Sequence, residues 1–293
     1  MTEVETRAAV VALAGAPNVG KSTLLNRILG QNLSITTPKP QTTRARVLGV
    51  YTEGPLQLVF TDTPGVHRPR TPIDERTVRR ARAGIREADL TCWIVSAKHG
   101  LGPVDRTEIP RLAESRLLVV LNKIDLVRKP QLLPLMAQIS ELAPDTECIP
   151  LSALHGENVG VLVDRLGQLA APGPWLYPPD TLTDQPMRFF AAERIREQLL
   201  RQLDQELPYR TAVKVENYRE EDKRTVIEAV IYTDSVSARR IVIGKGGQRI
   251  KAVGIAARRS IEEMLGRHVY LALEVRVKKD WQRDRRFLDE VGL

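Results

Sequence analysis

Gly15-Ala16-Pro17-Asn18-Val19-Gly20-Lys21-Ser22 is the stretch on which the fold turns. It follows an apolar run, Ala8–Ala14, that reads as a strand, and it opens the helical spacing Ser22–Leu29, which Gly30 closes. A strand, a glycine-bearing turn and a helix starting at Lys21-Ser22 form an anion cradle. Gly15 and Gly20 let the backbone turn so that amides face phosphates, and the helix N-terminus adds its positive dipole end. Lys21 can reach β and γ phosphates, and the Ser22 hydroxyl can ligate Mg2+. Ala16, Pro17, Asn18 and Val19 form the body of the loop.

Three further strings follow in order. Asp62-Thr63-Pro64-Gly65 closes the apolar run Leu58–Phe60. A carboxylate at a strand end, across from the phosphate loop, can hold Mg2+ through water, and the Gly65 amide can sense a γ phosphate. Alone, this string is a plain turn. Asn122-Lys123-Ile124-Asp125 follows the strand Leu117–Leu121 and names the base. The Asp125 carboxylate accepts from guanine N1 and its exocyclic amine, Lys123 lies along the base, and Asn122 ties the loop to the phosphate loop. Ser152-Ala153-Leu154 offers a backbone amide to the guanine O6. The expected ligands are therefore GTP and GDP with Mg2+.

The polar stretch Thr36–Arg44 lies between the first two strings and reads as a switch loop in which one threonine completes the Mg2+ shell. Thr43 is the first choice and Thr42 the second. Val66 stands after Gly65, where Ras-like GTPases place a water-orienting glutamine, so hydrolysis must be organised otherwise, with slow intrinsic turnover. Two readings of Asn18 stay open: it caps the loop, or its amide oxygen helps hold K+ beside the phosphates. The catalytic candidates are Lys21, Thr43, Gly65 and Asn18. The metal candidates are Ser22, Thr43 and Asp62.

Around these strings, Val47–Val50, Gln57–Phe60, Leu90–Val95, Leu117–Leu121 and Glu147–Pro150 read as strands. They alternate with helical patterns at 77–88, 104–113, 132–142 and 159–169. Apolar strands alternating with helices predict an α/β domain, a mostly parallel sheet with helices on both faces. The prolines 172, 174, 178, 179 and 186 mark a stiff linker that Trp175 and Tyr177 can pin to a surface. The expected division is residues 1–171, a linker at 172–186, and residues 187–293.

The last part has a different order. A helix at 192–205, strands at 209–217 and 225–232, helices at 235–242 and 248–265, a strand at 269–277 and a basic tail helix at 282–290 make an α+β pattern. Between its second and third helices lies Ile243-Gly244-Lys245-Gly246-Gly247-Gln248-Arg249-Ile250-Lys251. Glycine removes the side chain that would keep a nucleic-acid backbone away. Lys245, Arg249 and Lys251 supply charge, and Ile241, Ile243 and Ile250 are expected to floor a groove for bases. Charge is skewed the same way: 21 Lys and Arg face 19 Asp and Glu in residues 1–186, but 23 face 17 in residues 187–293. Most of the formal net charge of +8 thus falls in residues 187–293, which points to a polyanionic partner there.

Composition excludes other classes. Two cysteines, Cys92 and Cys148, and four scattered histidines suggest a reduced, cytoplasmic protein without a zinc site. No apolar run approaches the roughly 20 residues that span a bilayer.

Taken together, the loop Gly15–Ser22, Gln41-Thr42-Thr43-Arg44, Asp62–Gly65, Asn122–Asp125, Ser152–Leu154, the proline linker and Gly244–Gly247 resemble the Era family of bacterial GTPases along nearly the whole chain. The resemblance implies a P-loop GTPase domain followed by a type II KH domain. It also implies binding to the 3′ end of 16S ribosomal RNA, a role in maturation of the 30S subunit, peripheral association with the cell membrane and a monomer. A hydrophobic residue at Val66 is the pattern of that family. Two other readings stand beside it: a related switch GTPase of tRNA modification or ribosome assembly, and an RNA-binding protein that uses GTP only as a structural ligand.

Overall fold

The computed structural model describes residues 5–39, 42–69, 71–204 and 206–293. Gln41 of the switch stretch, Arg70 and the expected helix end at Gln205 lie outside the described residues. By packing, the chain divides into two compact units. One comprises Met1–Ser34 and Thr43–Asp184, the other Ile35–Thr42 and Gln185–Leu293.

The first unit is built on strands β1 (Arg7–Gly15), β2 (Val47–Glu53), β3 (Leu56–Asp62), β4 (Leu90–Ser96), β5 (Leu117–Asn122), β6 (Glu147–Leu151) and the short β7 (Ala171–Pro172). Their order is β2-β3-β1-β4-β5-β6, with β7 beside the start of β1. β2 runs antiparallel to β3, and the other neighbours along that path are parallel. The central strands are buried on both faces, which is why they read as unbroken apolar runs: every residue of β4 and β5 is buried. Helices α1 (Lys21–Leu29), α2 (Pro72–Glu87), α3 (Pro103–Leu112), α4 (Leu132–Leu142) and α5 (Val159–Leu169) connect them.

Helix α2 starts five residues earlier than the apolar spacing predicts. Its signal is polar. Thr71 Oγ1 accepts from the Asp74 amide at 3.2 Å while Asp74 Oδ2 accepts from the Thr71 amide at 3.1 Å, a reciprocal cap followed by Pro72 at the first helical position. The proline-rich stretch lies on this unit. Trp175 Nε1 donates to the Pro55 carbonyl at 3.1 Å, and the Leu176 and Tyr177 amides donate to Gln57 Oε1 at 2.8 and 2.9 Å. The Val50 amide donates to Leu182 O at 2.8 Å and Thr183 Oγ1 to Leu48 O at 2.6 Å, which covers part of the exposed edge at β2.

In the second unit, α6 (Met187–Gln202) precedes β8 (Thr211–Glu220), β9 (Thr225–Thr233), α7 (Val236–Ile243), α8 (Gln248–Leu265), β10 (Val269–Val277) and α9 (Arg285–Glu290). The sheet order is β10-β9-β8, with β8 antiparallel and β10 parallel to β9. Ala191, Ile195 and Leu199 form one stripe of α6, which Leu203 continues just past its end, and they pack with Val253, Ala257 and Ile261 of α8 over Ile227, Ala229 and Ile231 of β9. The two helices thus share one face of the three-stranded sheet.

Candidate functional site

In-register pairing lines up the carboxyl ends of the first unit's strands. Leu13 faces Asp62 across β1 and β3, Gly15 faces Ile94, and Asn122 faces both Ser96 and Leu151. All four strings read from the sequence therefore leave the sheet at one end, where open parallel sheets bind ligands.

The phosphate loop needs its glycines here. Gly15 has φ +140° and a Cβ on it would sit 2.4 Å from the Ile94 carbonyl oxygen; Gly20 has φ +104° and a Cβ would meet Asn122 Nδ2 at 2.2 Å. Lys21 is buried, and its Nζ donates to the carbonyls of Gly15 at 3.2 Å and Ala16 at 2.8 Å. Burial lowers its pKa to about 8, against the opposing pull of Asp62 and Asp105.

Ser22, Thr43 and Asp62 converge. Ser22 Oγ lies 2.8 Å from Thr43 Oγ1 and donates to Asp62 Oδ2 at 2.6 Å, and Thr43 Oγ1 is 3.5 Å from the same oxygen. Asp62 is fully buried, and burial raises its pKa, opposed by the Ser22 hydrogen bond and by Lys21. Its Oδ1 has no hydrogen-bond partner among the described residues. An orphaned carboxylate oxygen beside two hydroxyls is a set of hard oxygen donors, which suits Mg2+. Thr42 stands apart. Its hydroxyl is 2.7 Å from Thr37 Oγ1 and donates to Lys39 O at 2.7 Å.

Gly65 fits flush against the loop, since a Cβ there would lie 2.8 Å from the Pro17 nitrogen. Thr63 Oγ1 donates to Leu13 O at 2.8 Å, and Pro64 is buried beside it. The Val66 amide donates to Gly15 O at 3.0 Å, while its side chain is buried in the core with Ala12, Trp93 and Val119. Asn18 is exposed with φ +61°, and its carbonyl accepts from Lys123 Nζ at 2.6 Å.

Asn122 joins three loops. Its Nδ2 donates to Val19 O at 2.8 Å, and its Oδ1 accepts from the amides of Lys123 at 2.7 Å and Ala153 at 3.0 Å. The Ala153 amide, expected to serve a guanine oxygen, is thus held by Asn122 in this structure. Lys123 has φ +66°, and burial lowers its ammonium pKa, with Lys98 adding to the effect. Asp125 Oδ1 accepts from Ser152 Oγ at 2.6 Å. Ile124 is half-buried and Leu154 is exposed. One residue of this assembly escaped the sequence reading. Arg27, in the last turn of α1, donates through Nε to Ala153 O at 3.2 Å and through Nη2 to Leu154 O. Its position in the chain carries no sign of this.

In the second unit, α7 starts at a Ser235 cap and ends at Gly244. Gly244 has φ +75°, and a Cβ there would come within 2.8 Å of Arg249 Cβ. Gly246 and Gly247 also have positive φ, +57° and +76°, with nothing within 4 Å of an added Cβ. Lys245 is exposed on this turn, and Arg249 spans it, Nη1 donating to Ile241 O at 2.9 Å. Beside α8 lies a cavity of about 310 Å³ lined by Ile250, Lys251, Gly254, Ile255, Arg258, Leu271 and Leu273. Of the three isoleucines read as flooring a groove, Ile250 lines this cavity, whereas Ile241 and Ile243 do not. Ile241 is exposed on α7, and Ile243 packs against the core. The lining residues that the sequence reading did not name are Gly254, Ile255 and Arg258, which share one face of α8 with Lys251 by helical spacing, and Leu271 and Leu273 of β10.

A phosphate loop, a carboxylate at the next strand end and a guanine-type loop, carried in one chain with a KH-type turn, define a P-loop GTPase bearing a nucleic-acid-binding module. Residues 10–123 match the family described as 50S ribosome-binding GTPase, and residues 206–282 match the KH domain. The GTPase Era of Syntrophus aciditrophicus is 43% identical over 286 residues, covering 96% of this chain and 94% of its own. That of Geotalea daltonii is 42% identical over 295 residues, covering 100% and 99%. Two solved structures superpose at TM-score 0.93 with 38% identity, each covering 98% of this chain and 99% of its own. One is an Aquifex aeolicus Era variant bound to GDP and aluminium fluoride, and the other is an Era in complex with MgGDPNP and nucleotides 1506–1542 of 16S ribosomal RNA. The chain belongs to the Era family of GTPases and hydrolyses GTP to GDP and phosphate.

Proposed function

We propose that this GTPase binds the 3′ end of 16S ribosomal RNA and acts in assembly of the 30S subunit, with the nucleotide state setting its grip on the RNA. The observation that carries this is the Gly244–Gly247 turn. It is open at Gly246 and Gly247, carries the exposed Lys245, and is set in the same unit as a groove with an apolar floor and two cationic residues, Lys251 and Arg258. The Era structure holding a 16S segment supports it. We take residues 1–171 and 187–293 as the working modules, joined through 172–186, in a monomer acting in the cytoplasm or at the cytoplasmic face of the cell membrane. Among the described residues no helix is long and apolar enough to cross a membrane.

In the nucleotide module, the amides of the Gly15–Gly20 loop and Lys21 hold the β and γ phosphates, and Asp125 selects guanine. Ser22, Thr43 and Asp62 would hold Mg2+, and that reading is supported by their convergence and by the orphaned Asp62 oxygen. When bound, Mg2+ supplies positive charge to the phosphate oxygens. The Gly65 amide orients the γ phosphate for in-line attack by water, which Val66 cannot hydrogen-bond from within the core. Asn18 is exposed at the loop, where a K+ could add the charge that an arginine finger supplies elsewhere.

Equilibrium binding of a 16S 3′-end oligonucleotide under GDP and under a non-hydrolysable GTP analogue tests the reading. Tighter binding in one state is expected. Absence of binding in both states refutes the RNA assignment, and equal affinities refute the coupling.

A further inference from the structure

Ile35–Thr42 group with the second unit, and Thr36, Lys39 and Thr42 are bonded to α6 and its end. Arg196 Nη2 donates to the Thr42 carbonyl, and Arg201 Nη2 donates to the Thr36 carbonyl at 3.3 Å. Lys39 Nζ in turn donates to the Leu203 carbonyl at the end of α6. The segment is thus tied to one helix near both of its ends and in its middle. Thr42 is fixed twice, by its carbonyl and by its hydroxyl on Thr37 and Lys39.

Arg196 is 5% exposed, unusual for a cation. Glu193 accepts from its Nε at 2.7 Å and its Nη2 at 2.6 Å, and its Nη1 has no hydrogen-bond partner among the described residues. It does not belong to the Ala191, Ile195, Leu199 stripe that builds the core. A buried guanidinium off the core stripe is a poor stabiliser. Its fork is spent on Glu193 and on one backbone carbonyl of the segment.

The next residue after that carbonyl is Thr43, whose hydroxyl stands 2.8 Å from Ser22 Oγ. Consecutive Cα atoms are about 3.8 Å apart and the peptide between them is planar, so releasing Thr42 O frees Thr43 to leave Ser22 and Asp62. We propose that Arg196, oriented by Glu193, is a positioning residue for Thr43, so that helix α6 of the RNA-binding module governs whether the triphosphate form of the nucleotide site is complete. This rests on the assignment of Thr43 to the Mg2+ shell. Arg201, oriented by Glu197 at 2.7 Å, is the second and weaker tie.

A threonine that joins only when the γ phosphate is present affects triphosphate and diphosphate unequally. The test measures affinities of the full chain, with Mg2+, for fluorescent GDP and a fluorescent non-hydrolysable GTP analogue. For Arg196→Met, the preference for the GTP analogue over GDP should fall about tenfold while GDP affinity stays within about twofold. Arg196→Lys should restore part of the preference. Arg201 is half exposed, so Arg201→Gln leaves folding intact and should lower the preference about threefold. An unchanged ratio in Arg196→Met overturns the proposal. If that variant does not fold, unchanged ratios in both Arg196→Lys and Arg201→Gln overturn it. RNA-oligonucleotide binding by the wild type, measured in parallel without nucleotide, reports on the RNA assignment separately: its failure would leave these ratios standing.

Discussion

Replacing Asn122 by Ala is the sharpest probe of the nucleotide site, because one side chain holds three loops that are far apart in sequence. It is 2% exposed and makes three hydrogen bonds, to Val19 O, from the Lys123 amide and from the Ala153 amide. A buried hydrogen bond contributes about 1 kcal/mol net, so removing three costs about 3 kcal/mol. Val19 and Ala153 are themselves buried, at 6% and 1%, so water cannot readily replace the lost partner. If the loss falls on the bound state, 3 kcal/mol is about a hundredfold in GDP affinity. Asn122→Asp keeps the acceptor for Lys123 and Ala153 but sets a carboxylate against the Val19 carbonyl, and should lie between wild type and Ala or below both. Fluorescent-GDP titration together with thermal unfolding measures both parts. Asn122→Ala within threefold of wild type in affinity, with an unfolding midpoint unshifted, would refute the idea that this residue assembles the site.

Asp125→Asn should shift preference from guanine towards xanthine nucleotides, whose O2 accepts from an amide; wild type binding ATP as tightly as GTP would sink the argument. Gly246→Asp places a carboxylate in open space at φ +57°, a conformation aspartate tolerates, so the fold and GTP binding should survive. Repulsion of about 1 kcal/mol per phosphate at 4 Å, added to the blocked approach, should abolish oligonucleotide binding, whereas Lys245→Ala should only weaken it and reduce its salt dependence by about one phosphate contact. Val66→Ala should leave turnover nearly unchanged and cost about 2 kcal/mol of stability, because the side chain fills the core; a large fall in kcat at full folding would contradict that. Rates in potassium and sodium chloride at equal ionic strength should differ if Asn18 helps hold a monovalent cation, and identical rates would remove that role.

The nucleotide strings were legible because each is a local device, a loop of at most eight consecutive residues that follows an apolar strand. The same locality holds for Gly244–Gly247 between two helices and for the alternation of apolar runs that sets the parallel sheet. What the sequence left open are matters of distant contact. Thr42 and Thr43 are the same residue type side by side, and only the neighbours at Ser22, Asp62, Thr37 and Lys39 separate them. The helix start at Thr71 is carried by a polar cap rather than by apolar spacing. The clamp from Arg27, 126 residues from Ala153, and the groove wall from β10 have no local signature at all. Nor do the bonds from α6 to Thr36 and Thr42, which join residues more than 150 positions apart. Local propensity and spacing act through nearest neighbours along the chain, so they determine loops and elements. The side chains that meet across a fold are chosen by how those elements pack, and only the tertiary structure decides that.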